Sequence, residues 1–135
     1  MPELSELVDV LGSGAVLLGD EVTCDGFQRD RTIRVQSHVH TDHLKDFSTS
    51  IGYGDIVLSP PSFDLLLAEY PTMDRRPAVH RLDDGAPLNW ESHQIRLLSS
   101  NHMLGGCQVE VKLPDGVRVG YSSDFGWPLD EVINV

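Results

Sequence analysis

Short runs of apolar residues, broken by Gly, Pro and Asp, dominate the chain and predict a strand-rich fold. Only two segments have helical spacing. In residues 3–11 the apolar positions are Leu4, Leu7, Val8 and Leu11, with Gly12 as a plausible stop; the alternative is a loosely ordered terminus. Residues 62–70, SFDLLLAEY, predict a second helix with Ser62 as its cap and Pro71 just past its end. Strands are predicted at 15–19, 21–26, 32–38, 55–60, 78–82, 93–100, 107–113 and 117–124. Between the last two, Pro114–Asp115–Gly116 is a hairpin signal. The segment 124–135 begins what reads as a further connection or helix, and no repeat or linker interrupts the chain.

The length of 135 residues suggests one domain, and 40% hydrophobic content is ordinary for a globular core. No apolar run approaches the roughly 20 residues of a membrane span. The N-terminus is acidic rather than basic, so it does not read as a signal peptide, and a cytoplasmic protein is expected. Cys24 and Cys107 fit neither a disulfide framework nor a paired zinc motif and read as small buried residues.

Charge changes the picture. There are 21 acidic residues against 10 basic ones, for a net charge of −11. The basic set is eight Arg and two Lys, and Asp outnumbers Glu by 14 to 7. Adaptation to high salt or a GC-rich genome would each produce this bias. It also argues against a simple polyanion-binding surface.

The stretch HVHTDH, residues 38–43, crowds three of the six histidines beside Asp42. His38 and His40 leave the end of a strand two residues apart, a spacing that lets both reach one ion. Asp42 and His43 would face a second ion nearby. Imidazole nitrogens and carboxylate oxygens suit zinc, and also iron or manganese. A polar loop with chance histidines is the bland alternative, and so dense a cluster weighs against it.

HVHTDH resembles the signature of the metallo-β-lactamase superfamily, and later stretches match in order. SSNHMLGG places His102 after a strand, and VGYSSDFG places Asp124 after another. The resemblance runs from about Val16 to Trp127. It implies an α/β fold, the metallo-β-lactamase αββα sandwich, of which residues 1–135 hold the N-terminal part only. It implies that His38, His40 and His102 hold one metal, that Asp42 and His43 hold the second, and that Asp124 bridges the two. Asp42 and Asp124 would also be catalytic. The cofactor expected is two divalent ions, zinc first. NHMLGGCQVEV and YSSDFG, with IVLSPPSFDLLLAEY, look like the nuclease branch: β-CASP RNA-processing nucleases similar to the cleavage and polyadenylation specificity factor, and DNA cross-link repair nucleases. In that family a further His lies well downstream, after the β-CASP region, so the chain is expected to be truncated before both.

Two metals about 3.5–4 Å apart supply a nucleophile, neutralise a phosphate and stabilise a leaving oxygen. Together with that chemistry, the resemblance to the nuclease branch implies a di-metal hydrolase of nucleic-acid phosphodiesters. RNA is favoured over DNA as the partner, a membrane is not expected, and a homodimer is left open. The alternatives are a thioester or lactone hydrolase on the same metals, and an inactive metal-binding fragment or assembly partner.

Other residues carry weaker signals. His80, His93 and Asp46 read as structural or solvated. Gly105 and Gly106 either let the backbone pass close to the metals or make a turn. Ser122 and Ser123 either orient Asp124 by a hydrogen bond or are exposed loop hydroxyls. Arg29, Arg31 and Arg34 read as a solvated strand edge that resists aggregation, with phosphate contact as the alternative.

Overall fold

The computed structural model describes residues 3–50, 52–76 and 78–127. Two sheets face one another. The first runs β1 (Val8–Val10), β2 (Val16–Leu18), β3 (Val22–Cys24), β4 (Ile33–Val35), β5 (Asp55–Leu58) and β6 (Val79–Arg81), in that spatial order. The β1–β2 and β2–β3 pairs are antiparallel, and β3 through β6 are parallel. The second sheet has the order β10 (Arg118–Tyr121), β9 (Cys107–Lys112), β8 (His93–Ser99), β7 (Pro87–Trp90), all antiparallel.

Side-chain alternation explains the layering. Ile33, Val35 and Val57 turn inward to meet Ile95, Leu97, Val109 and Val111 of the second sheet. Ile56 and Leu58 turn outward and are covered by Phe47, Leu66 and Met73. The interior parallel strands β4 and β5 are thus covered on both faces, and β4 is buried at every position. β8 and β9 alternate buried and half-buried positions, as strands with one covered face do.

The outer cover includes helix α2, Pro60–Glu69. Its cap is Ser59, whose hydroxyl accepts from the Ser62 amide, and the two prolines fill its first helical positions. The sequence had pointed to Ser62 as cap. Proline lacks an N–H, and the first turn needs none, so the prolines open this helix as well as closing β5. The first helix is also shorter than expected. α1 spans Leu4–Leu7, and Val8–Val10 then pairs with β2. The β-branched valines at 8 and 10 favour that extended pairing. Strand β7 was not anticipated, and the expected segment after residue 127 lies outside the described residues. The hairpin between β9 and β10 forms where Pro114–Asp115–Gly116 placed it. Leu113 N–H donates to Val117 O, and Gly116 has φ +90°. Among the described residues, no helix is long and apolar enough to cross a membrane.

Candidate metal centre

β3, β4, β8 and β10 all end at the same edge of the sandwich, and the loops that leave them meet there. β4 delivers His38, buried at 1% exposure, then His40 and a single 3-10 turn, Thr41–His43. β8 leads through Asn101 to His102, and β10 leads through Ser123 to Asp124. Asn101 (φ +56°) and Ser123 (φ +52°) lie in the left-handed region directly before the two side chains that turn into the site. Cys107 N–H donates to Ser37 O at 2.8 Å, tying the two sheets together at this rim.

Two groups of donor atoms result, each within 4.8 Å of one another. One is His38, His40, His102 and Asp124; the other is Asp42, His43 and Asp124. Asp124 belongs to both. Its Oδ2 stands 3.5 Å from His38 Nε2, 3.7 Å from His102 Nε2 and 3.2 Å from His43 Nε2. His102 Nε2 and His40 Nδ1 are 3.2 Å apart, and His43 Nε2 is 3.6 Å from Asp42 Oδ2. Two ligands on a tetrahedral ion with bonds of about 2.0–2.1 Å stand roughly 3.3 Å apart, and these separations fall around that value.

The hydrogen-bond network fixes which nitrogens are free. Asp25 is buried at the end of β3, and a carboxylate only accepts. Its Oδ1 takes the Ser37 amide at 2.8 Å. Its Oδ2 takes the Ser37 hydroxyl at 2.6 Å, His43 Nδ1 at 2.7 Å and the Tyr121 hydroxyl at 2.9 Å. Ser37 has spent its one proton on Asp25, so His38 Nδ1, 2.9 Å away, donates to Ser37 Oγ. His38 Nε2 then carries a lone pair that is buried, has no hydrogen-bond partner among the described residues and faces Asp124. His43 Nε2 is likewise left facing two carboxylates. Lone pairs aimed at one another in this way are costly without a cation among them. The residues present therefore fit a divalent ion. Asp25 is also near enough to His38 and His43 to join them in a third group. Four donors already occupy its oxygens, which makes it an orienting residue.

Burial, then the neighbouring imidazole of His43, pushes the His38 pKa down to about 4. It is neutral at physiological pH, as a metal ligand must be. His43 is pushed up, chiefly by its hydrogen bond to Asp25, with the Asp42 and Asp124 charges adding. Burial keeps the Tyr121 phenol protonated, so it remains a donor to Asp25.

Asp25 and Tyr121 had no signal in the sequence beyond an Asp-Gly turn and a strand tyrosine. Ser123 is neither an exposed hydroxyl nor a partner of Asp124. It lies 2.7 Å from Ser37 Oγ and 3.2 Å from His38 Nδ1. Gly105 and Gly106 pack against α2 and the Ser100 turn, and Gly105 O accepts from the Ser59 and Ser62 hydroxyls. His80 pairs with Asp55 at 2.7 Å, and His93 is buried at the start of β8. Arg34 departs most from expectation. β4 is an interior strand, and its guanidinium is buried under the loop that carries the histidines. Both cysteines are free and buried.

No family model matches this chain, and no curated protein matches it. Solved structures do. A metallo-β-lactamase from Cronobacter sakazakii (Enterobacter sakazakii) with a HARLDQ motif is 16% identical, with a TM-score of 0.64 over 84% of this chain and 57% of its own. The Rm3 metallo-β-lactamase is 18% identical, with a TM-score of 0.57 over 78% and 53%. A B3 metallo-β-lactamase with an active-site glutamic acid gives 16% and 0.58 over 78% and 53%. The chain thus has the metallo-β-lactamase fold and spans a little over half the length of the structures it matches.

Proposed function

We propose that this chain, on its metallo-β-lactamase fold, forms the metal centre of a di-metal hydrolase that cleaves nucleic-acid phosphodiesters, with RNA favoured over DNA. The observation that carries the reading is that one oxygen, Asp124 Oδ2, lies within 3.7 Å of Nε2 of His38, His102 and His43 alike. His38, His40 and His102 would hold one ion, Asp42 and His43 the second, and Asp124 both. The nitrogen and oxygen donor set suits zinc. When bound, such ions supply water activation and charge neutralisation at the scissile group.

The chain's own residues do the rest. Asp124, common to both donor groups, would hold the two sites side by side, and ions there would supply charge stabilisation to the oxygens of an in-line displacement at phosphorus. Asp25 and Ser37 orient the imidazoles. Asp42 and Asp124, the two catalytic carboxylates in this reading, border the space where a scissile group would sit. His40, Asp42 and Asp124 are exposed, so an extended strand has access to the centre. The likeness of residues 101–111 and 121–126 to RNA-processing members supports the choice of polymer.

The net charge of −11 favours a second reading, a small-molecule hydrolase acting on a thioester, a lactone or the lactam class that the neighbours' names imply. Repulsion by an acidic surface weakens polyanion binding and spares a small substrate. Parallel assays of zinc-loaded protein separate the two. Chelator-sensitive cleavage of labelled single-stranded RNA, lost in His38→Ala and Asp124→Ala, is expected. Turnover of thioester, lactone or lactam without RNA cleavage would establish the second reading instead.

A further inference from the structure

Gln36, outward-facing at the end of β4, joins the two halves of the histidine motif with one side chain. Its Nε2 donates to His38 O and to His43 O, each at 2.8 Å. Its Oε1 accepts from Arg34 Nε at 3.0 Å and Arg34 Nη2 at 2.7 Å. That fork settles which way the amide points, because only the NH₂ end can then face the carbonyls. Arg34 continues onto the same loop, donating from Nη1 to Lys45 O at 2.8 Å and from Nη2 to His43 O at 3.3 Å.

A second buried arginine repeats the pattern from the other side of the sequence. Arg76 Nη1 donates to Phe47 O at 3.0 Å, and Nη2 to Ser50 Oγ at 2.9 Å. Both guanidinium groups lie against the Phe47 ring, with Cζ at 5.6 Å for Arg34 and 4.8 Å for Arg76. Every hydrogen bond described for these two cations goes to an uncharged oxygen. Burying a cation is expensive when no described carboxylate hydrogen-bonds to it, and burial pushes the Arg34 pKa down to about 10, against the charges of Asp25 and Asp46. A chain with 21 acidic residues does not lack carboxylates, so what these arginines hold instead is the backbone of residues 43–47.

The backbone around His38 is fixed independently. Gln36 N–H donates to Val57 O at 2.9 Å and Cys107 N–H to Ser37 O at 2.8 Å, both across sheet strands. Beyond His40 the main-chain bonds described through residue 50 are all local: His43 N–H to His40 O, Leu44 N–H to Thr41 O, Phe47 N–H to Leu44 O and Ser50 N–H to Asp46 O, none of them to a sheet strand. The clamp supplies what that short turn lacks.

We infer that Gln36 and Arg34, backed by Arg76, are positioning residues that set the 41–45 segment, and with it Asp42 and His43, relative to His38. The role in metal binding rests on the function proposed above; the role in ordering the segment does not.

Two measurements on the purified chain test this. Hydrogen exchange of the metal-free protein reads the segment directly, and cobalt(II) titration followed by visible absorption reads each ion. Gln36→Leu removes the amide. Gln36→Glu keeps the size and the Arg34 contact while removing the donor, so it holds if the first variant does not fold. In either, faster exchange across residues 41–47 is expected, with β8 and β9 unchanged. The ion at Asp42, His43 and Asp124 should bind about 10–100-fold more weakly, and the ion at His38, His40 and His102 close to wild type. Unchanged exchange at 41–47, or equal weakening of both ions, overturns the inference. If the wild type binds no cobalt, the proposed function fails, and exchange alone decides whether the clamp orders the loop.

Discussion

Asp25 Oδ2 stands 2.7 Å from His43 Nδ1, and the same oxygen takes the Ser37 hydroxyl that fixes the tautomer of His38. One buried carboxylate thus orients an imidazole from each of the two donor groups. In Asp25→Ala, the Ser37 amide, the Ser37 hydroxyl, the Tyr121 hydroxyl and His43 Nδ1 all lose their acceptor. Leaving a buried polar group unsatisfied costs about 1–3 kcal/mol, so chemical denaturation should show at least that loss. Affinity for both ions should fall about 10–100-fold, measured by competition with a zinc chelator. Wild-type affinity in Asp25→Ala would remove it from the orienting role.

Gly105 bears on His102 through the turn that follows it. It has φ +80°, and a Cβ there would lie 2.7 Å from Ser62 Oγ and 2.8 Å from Ser62 N at the start of α2. Gly116 has φ +90° but open space around it. Gly116→Ala pays for backbone strain alone, about 1 kcal/mol. Gly105→Ala adds a clash with helix backbone and should cost about 2–4 kcal/mol. Urea denaturation of the two variants compares them. Equal losses would mean that Ser62 and the start of α2 yield to the added methyl.

Burial raises the Cys24 thiol well above its ordinary range and pushes Cys107 up to about 12. A thiol alkylates as thiolate, so below that range neither should react while folded. Mass spectrometry after iodoacetamide at pH 8 should find no label in native protein and two labels in urea. Labelling of native protein at Cys107 would mean that the turn carrying His102 opens.

Parts of this arrangement were legible in the sequence, and the reason differs by residue. His38, His40, Asp42 and His43 stand within six positions, so local density alone singled them out as candidate ligands. His102 and Asp124 have no such density and were reached through resemblance. The strands followed from the short apolar runs, and their layering into a sandwich was reached through resemblance. Arg34 and Gln36 were not legible, because an outward-facing polar residue on a strand is normally solvated. Only the return of residues 43–50 across β4 buries them, and that is a long-range event. Asp25 was hidden for the same reason: its four donor groups come from three residues, at positions 37, 43 and 121. β7 begins with a proline, has only four residues and buries none of them fully, so its alternation was too short to stand out beside that of β8.

Metal content per chain, by elemental analysis of protein refolded with zinc and freed of excess ion, tests the shared position of Asp124 most directly. Two zinc ions per wild-type chain are expected, at most one in His38→Ala, and loss at both sites in Asp124→Ala. A wild-type chain that retains no zinc, or full occupancy in Asp124→Ala, would contradict it.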